Sequence, residues 1–336
     1  MKRNMKQWKD ALITSDKIQA LPVLTYPGLK MANKNVMDVI TDGQAQFECI
    51  KAMSERFPSA AAVTIMDLSL EAEAFGCPIK FSDNEVPTVT KRIVEDEDSV
   101  NALKVPKVGD GRTSAYLKAA ELSAQSITDK PVFGGHIGPY SLAGRLYDMT
   151  EIMMSIMIEP EVIHVLLQKC TDFLIEFSKA FKQAGANGII IAEPAAGLLS
   201  PEMCHDFSSV YVKQIVDAVQ DEHFMVILHN CGNTTLQVPT LLSTGAMGLH
   251  FGNAIDMADN LPQVSKDVVA FGNIDPASIF KAATPEVMRE KVLTLLEKMK
   301  PYPNFVLSSG CDVPPGTPLE NVEAFYNAMA EFNQVG

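Results

Sequence analysis

Short apolar runs alternate with longer segments of helical periodicity along most of this chain. The apolar runs have the length and composition of strands that are buried on both faces, and most are followed by polar residues, glycine or proline. The predicted strands are residues 21–24, 61–66, 132–135, 188–192, 224–228, 248–251, 268–271 and 305–307. This series indicates a parallel sheet that other elements cover on both sides.

Amphipathic segments between the apolar runs predict helices over residues 161–184, 201–220 and 285–300. The second of these segments starts with Pro201, directly after Ser200. Serine is a favoured cap and proline a favoured first residue of a helix, so this pair marks a helix start. The alternation of strand and helix therefore continues through the second half of the chain.

The alternation of eight strands with helices predicts an α/β fold, a (β/α)8 barrel that forms a single domain over residues 1–336. The prediction includes a helical extension before the first strand. It also includes an insertion over the barrel mouth near residues 70–130, where the pattern is less regular. A doubly wound open sheet is the alternative. Its nucleotide-binding versions are disfavoured because no G-x-G-x-x-G or G-x-x-x-x-G-K-[ST] sequence follows an early strand.

Side chains that bind metals or move protons follow the predicted strands, at the point where each strand ends. These residues are Asp67, His136, Glu193, His229, Cys231, His250, Asn273, Asp275 and Cys311. In a barrel the carboxyl ends of all strands lie on one face, and active sites are built there. We therefore expect these side chains to share one rim.

His229 and Cys231 are two residues apart at a strand end, so their side chains point to the same side. Cys311 joins them from the last strand. One histidine and two cysteines are ligands that zinc prefers, and three protein ligands indicate a catalytic ion with one open position. Two alternatives stay open: a core histidine with incidental thiols, or a structural zinc whose shell Glu193 or His250 completes.

Three other residues have two interpretations each. Glu193 ends an apolar strand, where a carboxylate needs a partner, and we expect it to be a fourth zinc ligand at rest or a base beside the zinc. Asp67 either caps the helix that follows it or orients a substrate. His136, in the sequence GGHIGPYSLAG, is either a core histidine or part of a loop that a flat or bulky ligand approaches closely.

Composition and charge narrow the class of protein. Of 336 residues, 47% are hydrophobic and 21% charged, and the net charge of −13 comes without a basic block. This balance argues against nucleic acid and anionic membranes as partners. Six cysteines in a chain of this length are interpreted as free thiols. No apolar run reaches the length of a membrane span, and the N-terminal segment lacks the apolar core of a secretory signal, so we expect a cytoplasmic protein.

Six motifs then carry a family resemblance. They are DLSLEAEAFGC (67–77), GHIGPYSLAGRL (135–146), IAEPAAGLLSPE (191–202), HNCGN (229–233), FGNIDP (271–276) and SSGCDVPPGTPLENVEAF (308–325). With these motifs the chain resembles the uroporphyrinogen decarboxylase superfamily over essentially its whole length, most closely the branch of methylcobamide:coenzyme M methyltransferases. The resemblance implies a (β/α)8 barrel and zinc held by His229, Cys231 and Cys311.

The resemblance also implies a reaction. A methyl group would pass from a corrinoid to a zinc-bound thiol such as coenzyme M. The methyl donor would be a separate corrinoid protein or free methylcobalamin, because the chain lacks the D-x-H-x-x-G motif of a corrinoid-binding domain. The implied catalytic residues are Glu193 and Asp67, and the implied corrinoid contacts are His136, Tyr140, Asn273 and Asp275. A homodimer is a further expectation, since barrels of this superfamily often dimerise.

Three kinds of function are alternatives to this reaction: a different methyl acceptor, corrinoid binding without catalysis, and decarboxylation. Homocysteine, another thiol or a non-thiol acceptor such as a folate could replace coenzyme M, and a non-catalytic barrel could bind a corrinoid with a structural zinc. Decarboxylation of uroporphyrinogen is disfavoured. The segment TYPGLKMANKN (25–35), which corresponds to the arginine-rich loop of the decarboxylases, contains no arginine. Decarboxylation also needs no zinc.

Overall fold

A sheet of seven parallel strands forms the centre of the protein in a computed structural model that describes residues 2–335. The strands are β1 (Ala62–Val63), β2 (Ile79–Lys80), β3 (Thr88–Val89), β4 (Val132–Ile137), β5 (Gly188–Ala192), β6 (Met225–Asn230), β7 (Gly248–Phe251), β8 (Val269–Ile274) and β9 (Phe305–Ser309). The large sheet has the order β1-β4-β5-β6-β7-β8-β9, and β2 pairs with β3 outside it. This confirms the predicted α/β class and seven of the eight predicted strands.

The segment predicted as the first strand makes a single parallel bridge instead, between Ala20 and Leu307. Pro22 explains the difference, because proline has no backbone N–H to donate to a ladder. The segment nevertheless contacts both edges of the sheet. Leu21 donates to the Leu307 carbonyl at 2.9 Å, and Ala60 donates to the Ala20 carbonyl at 2.7 Å. Since one segment reaches both edges, the sheet is curled, which is consistent with a TIM-barrel-like fold.

Helices separate the strands, as the periodicity predicted. They are α1 (Met5–Ile13), α2 (Leu29–Ala32), α3 (Val36–Thr41), α4 (Gly43–Arg56), α5 (Leu70–Ala74), α6 (Glu97–Ala102), α7 (Thr113–Ser126), α8 (Pro139–Tyr147), α9 (Met149–Ile158), α10 (Pro160–Gln183), α11 (Pro201–Cys204), α12 (Val210–Val219), α13 (Val238–Leu242), α14 (Met257–Asn260), α15 (Pro285–Met299) and α16 (Leu319–Val335). Short 3-10 turns lie at Tyr26–Gly28, Pro194–Leu198 and Leu261–Gln263, and π-turns at His205–Ser209 and Pro276–Lys281.

The longest helix, α10, shows how the layers pack. Its buried side chains, among them Leu167, Phe177 and Phe181, recur every three or four residues and form one apolar face. A Cβ on Gly134 of β4 would lie 2.5 Å from the Phe181 ring, so glycine lets the helix approach the strand closely. Burial of each such side chain stabilises the fold by about 1.5–3 kcal/mol.

Register places the ends of neighbouring strands side by side. Ala192 of β5 pairs with His229 of β6, and His229 pairs with His250 of β7. In the adjacent row, His136 of β4 pairs with Ile191 of β5. Side chains of successive residues point to opposite faces of a sheet, so these two rows face opposite sides.

Two sequence-based expectations concern the chain as a whole. The part of the chain that the structure describes includes all six cysteines, and each is a free thiol. Over residues 2–335, no helix combines the length and the apolar character that crossing a bilayer requires.

Candidate metal centre

His229, Cys231 and Cys311 come together at the carboxyl ends of the strands. Their ligand atoms all lie within 4.8 Å of one another. His229 lies on β6 and is buried, whereas Cys231 follows that strand and Cys311 follows β9, and both are half-buried. The sequence predicted this grouping from the spacing of the first two residues and from the strand that precedes the third.

The turn after β6 determines where Cys231 lies. The Asn230 side chain accepts a hydrogen bond from the Gly232 N–H at 2.8 Å and donates one to the Glu193 carbonyl at 2.9 Å. Asparagine commonly closes a tight turn in this way, through a bond to the backbone two residues on. Gly252 lies against this turn, where a Cβ would stand 2.3 Å from the Cys231 Cα.

The His229 ring has one nitrogen that is satisfied and one that is not. Nδ1 lies 3.2 Å from the carbonyl oxygen of His250 and 2.6 Å from Nδ1 of the same residue. Nε2 is buried and has no hydrogen-bond partner among residues 2–335. A buried polar atom without a partner is costly and rare in folded proteins. A metal ion bound at Nε2 would satisfy it.

The two thiols influence each other's pKa in opposite directions. The pKa of Cys231 is lowered to about 4, because Cys311 hydrogen-bonds to its sulfur and because His229 lies beside it. The same hydrogen bond, together with burial, raises the pKa of Cys311 well above its ordinary value. One thiolate is therefore present at neutral pH, and a cation would favour the second. Two sulfurs and one imidazole nitrogen fit zinc.

A cavity of about 30 Å³ lies beside these three residues. Its lining residues are Met66, Leu68, Ala192, Pro194, His229, Cys231, Cys311 and Asp312. The volume has room for a water-sized group. The wall opposite the ligands is apolar, and Asp312 contributes a carboxyl group to it.

Asp312 is a residue of this cavity that sequence reasoning missed. Its Oδ2 accepts a hydrogen bond from the Met66 N–H at 3.3 Å, and its buried Oδ1 has no partner within the described part of the chain. Burial raises the pKa of this carboxyl to about 8, so it is protonated at neutral pH. Its position directly after Cys311 was the one signal that could have identified it.

Glu193 follows β5, and its N–H donates to the His229 carbonyl at 2.8 Å, but its carboxylate is occupied elsewhere. Oε1 accepts hydrogen bonds from the Tyr140 N–H at 2.7 Å and the Ser208 hydroxyl at 2.9 Å, and Oε2 accepts one from the Ser141 N–H at 3.1 Å. These bonds place the carboxylate at the N-terminus of α8, where negative charge is favourable. Burial outweighs them and raises the pKa to about 7. Glu193 is not part of the group of three metal-ligating side chains.

Asp67 lies in a separate buried ionic cluster. Its Oδ1 accepts hydrogen bonds from the N–H and hydroxyl of Ser69, and its Oδ2 accepts them from Arg112 at 2.6 Å and Tyr116 at 2.9 Å. Arg112 also pairs with Glu73 at 2.6 Å. Both carboxylate oxygens have partners within the protein, and the predicted role in orienting a substrate stays a prediction. Asp67 holds the turn before α5 and ties α7 to it.

His136, predicted as a corrinoid contact or a core histidine, has partners for both ring nitrogens. Its Nδ1 lies 2.7 Å from the Ile137 carbonyl and its Nε2 lies 2.9 Å from the Ser178 hydroxyl of α10. The ring therefore faces the helix layer and not the cavity, and burial lowers its pKa to about 4. The alternative interpretation, a core histidine, agrees with this placement.

The other three predicted corrinoid contacts do not line the cavity either. Tyr140 is buried, and its hydroxyl lacks a partner among the residues described. Asn273 donates to the carbonyls of Gly252 and Ile255, both at 2.9 Å. Asp275 caps the turn that follows β8, with Oδ1 2.8 Å from the Ala277 N–H. The last two therefore hold loops at the rim.

Comparison with known proteins supports the resemblance seen in the motifs. The family model described as uroporphyrinogen decarboxylase (URO-D) matches residues 18–332. A methylcobamide:CoM methyltransferase MtbA of Methanosarcina acetivorans is 30% identical over 261 residues, which is 76% of this chain and 75% of that protein. A uroporphyrinogen decarboxylase of Pseudoalteromonas translucida is 26% identical over 291 residues, or 83% of this chain and 80% of that protein.

Solved structures show the same fold. A methyltransferase from Methanosarcina mazei superposes with a TM-score of 0.87 at 23% identity, over 98% of this chain and 99% of that one. A B12-independent methionine synthase from Shewanella sp. W3-18-1 gives a TM-score of 0.62 at 14% identity, over 95% and 96% of the two chains. Together with the sequence relatives, these matches confirm the predicted resemblance and the expectation of an enzyme.

Proposed function

We propose, from the premise that this chain belongs to the uroporphyrinogen decarboxylase family, that it is a zinc-dependent methyltransferase that moves a methyl group from a corrinoid to a thiol. The convergence of His229, Cys231 and Cys311 beside a small cavity carries the proposal. The unpartnered Nε2 of His229 supports it, because a metal would complete the bonding of that buried atom. Three ligands leave one position of a tetrahedral ion open.

The chain's own residues prepare the thiol for attack. When bound, zinc supplies the positive charge that keeps a substrate thiol deprotonated near neutral pH. Cys231 and Cys311 offset that charge as thiolates. Held by His229 and these two thiolates, the ion would leave a bound substrate sulfur enough electron density to act as a nucleophile. The carboxyl of Asp312 is the polar group that a bound thiol substrate meets in the cavity.

The size of the cavity bears on how the two substrates meet. A space of about 30 Å³ has room for a water-sized group but not for a corrinoid ring. We place the corrinoid outside the rim, on a separate protein or as free methylcobalamin, with its methyl group directed into the cavity. Apolar walls at Met66, Leu68 and Pro194 keep water away from the reacting sulfur.

Coenzyme M is the proposed acceptor, because the relatives from Methanosarcina acetivorans and Methanosarcina mazei are named methylcobamide:CoM methyltransferases. Homocysteine is the second candidate. Other relatives are named uroporphyrinogen decarboxylases. Decarboxylation is disfavoured because the segment at residues 25–35 has no arginine and because that reaction would not use the two thiols. We place the Glu193 carboxylate at the start of α8 in the loaded state too, and its role as a fourth ligand is untested. A homodimer and a cytoplasmic location stay predictions.

The architecture around the site is part of the proposal. We take the segment at residues 20–24 to close a (β/α)8 barrel, α1 to be an extension before it, and residues 70–130 to be an insertion over its mouth, all within one domain. Arg112, directly before α7, supports the last point. Its bond to Asp67, just after the β1 region, fastens this part of the chain to the rim.

Metal analysis combined with a demethylation assay tests the proposal. The purified protein is loaded with zinc and mixed with methylcobalamin and coenzyme M, homocysteine or no thiol. We expect about one zinc ion per chain and thiol-dependent loss of the methyl group. Cys311→Ala should lose the zinc ion and the thiol-dependent activity. Cys49 is a buried cysteine of α4, and Cys49→Ala should keep both properties.

Two results would contradict the proposal. If Cys311→Ala keeps its zinc and full activity, the mechanism is wrong. If the wild-type protein binds cobalamin tightly but shows no thiol-dependent turnover, it is a corrinoid-binding barrel and not this enzyme.

A further inference from the structure

A chain of three hydrogen bonds runs from His229 away from the cavity. Nδ1 of His229 lies 2.6 Å from Nδ1 of His250, and Nε2 of His250 lies 2.8 Å from the Ser308 hydroxyl. That hydroxyl donates to the carbonyl of Leu21 at 2.7 Å. The three side chains are at most 2% exposed, so bulk water does not compete for these bonds.

The Leu21 carbonyl at the far end determines which atom donates in each of these three hydrogen bonds. A carbonyl oxygen can only accept, so the Ser308 hydroxyl donates to Leu21, and the Ser308 oxygen accepts a hydrogen bond from Nε2–H of His250. His250 with its proton on Nε2 has a lone pair on Nδ1, which accepts from Nδ1–H of His229. His229 with its proton on Nδ1 has its lone pair on Nε2.

Nε2 is the nitrogen of His229 that lacks a partner within residues 2–335. The hydrogen bonds therefore select the tautomer in which the unpartnered nitrogen is the one able to bind a cation. Histidines that bind metals usually donate their other N–H to a neighbouring group, which fixes both the tautomer and the ring orientation. The arrangement here has that form, with a second histidine as the acceptor.

We infer that His250 and Ser308 are positioning residues for the metal centre: they hold the His229 ring with Nε2 towards the ion. The inference rests on the proposed zinc function, because it assigns these residues a task at that site. Neither side chain lines the cavity. The His250 carbonyl, 3.2 Å from the same Nδ1, is a second acceptor that side-chain substitutions leave in place.

Ser178, beside His136, offers a matched control for the substitution of Ser308. Ser178 is also buried, donates its hydroxyl to the Leu174 carbonyl at 2.6 Å and lies 2.9 Å from Nε2 of His136. Ser178→Ala thus removes the same kind of hydroxyl, with the same kinds of partner, from a histidine that does not face the metal centre. Any general cost of removing a buried hydroxyl is common to both serines.

Zinc affinity is measured on the full-length protein by competition with a chelator. Ser308→Ala and His250→Phe should each weaken zinc binding by about 10–100-fold. Ser308→Thr, which restores a hydroxyl, should bind zinc nearly as well as wild type, and so should Ser178→Ala. If Ser308→Ala binds zinc as tightly as wild type, the inference is wrong. Ser308→Ala decides the matter even if His250→Phe does not fold.

The tautomer itself is measured by nitrogen-15 NMR of the imidazoles in the metal-free protein, which requires neither zinc nor turnover. We expect the Nδ1–H tautomer of His229 in wild type and Ser178→Ala, and a mixture in Ser308→Ala. An Nε2–H tautomer of His229 in wild type would overturn the inference. If wild type binds no zinc, the proposed function fails, while the tautomer still decides whether the hydrogen bonds set the ring as described.

Discussion

His136 and His229 stand two strands apart at the same end of the sheet, and each is only 1% exposed. His136 has partners for both ring nitrogens, whereas His229 has a partner for Nδ1 alone. The comparison teaches that burial at a strand end does not identify a ligand. What sets His229 apart as a candidate is an unpartnered ring nitrogen beside two thiols.

The face of the sheet explains why the two histidines differ. His136 shares a row with Ile191, which packs into the core between the sheet and the helices. His229 shares a row with Ala192, which packs into the core enclosed by the sheet. A shift of one residue along a strand exchanges these faces. The two histidines are therefore matched in burial and opposite in what they can contact.

The largest expected effect separates these histidines directly. His229→Gln should weaken zinc binding by more than about 100-fold, since it removes a ligand rather than a residue behind one. His136→Gln should leave zinc affinity unchanged and lower the thermal stability, because it disturbs a buried hydrogen bond. Chelator competition and thermal unfolding measure the two effects. Loss of zinc affinity in His136→Gln would break the comparison.

Asp67 extends the comparison to a buried charged group, because both of its carboxylate oxygens have hydrogen-bond partners. Arg112→Met leaves Asp67 buried without its cation, and we expect a loss of about 3–5 kcal/mol in the free energy of unfolding. Arg289→Met breaks an exposed pair with Glu331 and should leave the free energy of unfolding almost unchanged. Urea unfolding measures both. Zinc content should stay unchanged in both, and a loss of zinc in Arg112→Met alone would assign the cluster to the site.

A smaller effect should appear in the pH dependence of stability. The pKa of His136 is about 4 in the folded protein and 6.5 in its ordinary state, so between these values the unfolded chain binds the extra proton. This histidine therefore lowers stability by about 1.4 kcal/mol per pH unit as the pH falls through that range. His136→Phe should make the fall shallower in urea unfolding. An unchanged slope would show that the ring is not held neutral.

The smallest expected effect concerns Glu193. Its pKa of about 7 means that the carboxyl is protonated in about half of the molecules at neutral pH, so Glu193→Gln should change stability by about 1 kcal/mol. Zinc affinity and the absorption spectrum of the cobalt-substituted protein should not change. A marked change in that spectrum would show that the carboxylate reaches the metal in the loaded state, as the sequence suggested.

The parts of the fold that were predictable follow from local pattern. Seven strands could be predicted because each is apolar on both faces. The three candidate ligands could be predicted from an H-x-C spacing and a cysteine after the last strand. The segment with Pro22 was mistaken for a regular strand, because its apolar character outweighed the missing N–H. Its place between the sheet edges depends on Ala20 and Ala60, which no local pattern connects.

The rest of the site depends on contacts between distant parts of the chain. The partner of Asp67 is Arg112, and the partners of Glu193 are amides at the start of α8; neither pairing is marked by spacing. Whether His136 faces the helices or the cavity depends on where β4 begins, to within one residue. Sequence position therefore predicts that these side chains lie at one end of the sheet, but it does not show which of them have hydrogen-bond partners within the protein.

The bond between Ser308 and Leu21 spans almost the whole chain, with a sequence separation of 287 residues. Contacts of such high sequence separation form late in folding, because they carry the largest loop-closure entropy. During synthesis His229 and Cys231 leave the ribosome together, but Cys311 and the residues that orient the imidazole are complete only when both ends of the chain have met. A metal that binds this set stabilises the finished native state alone, so its occupancy is a measure of completed folding.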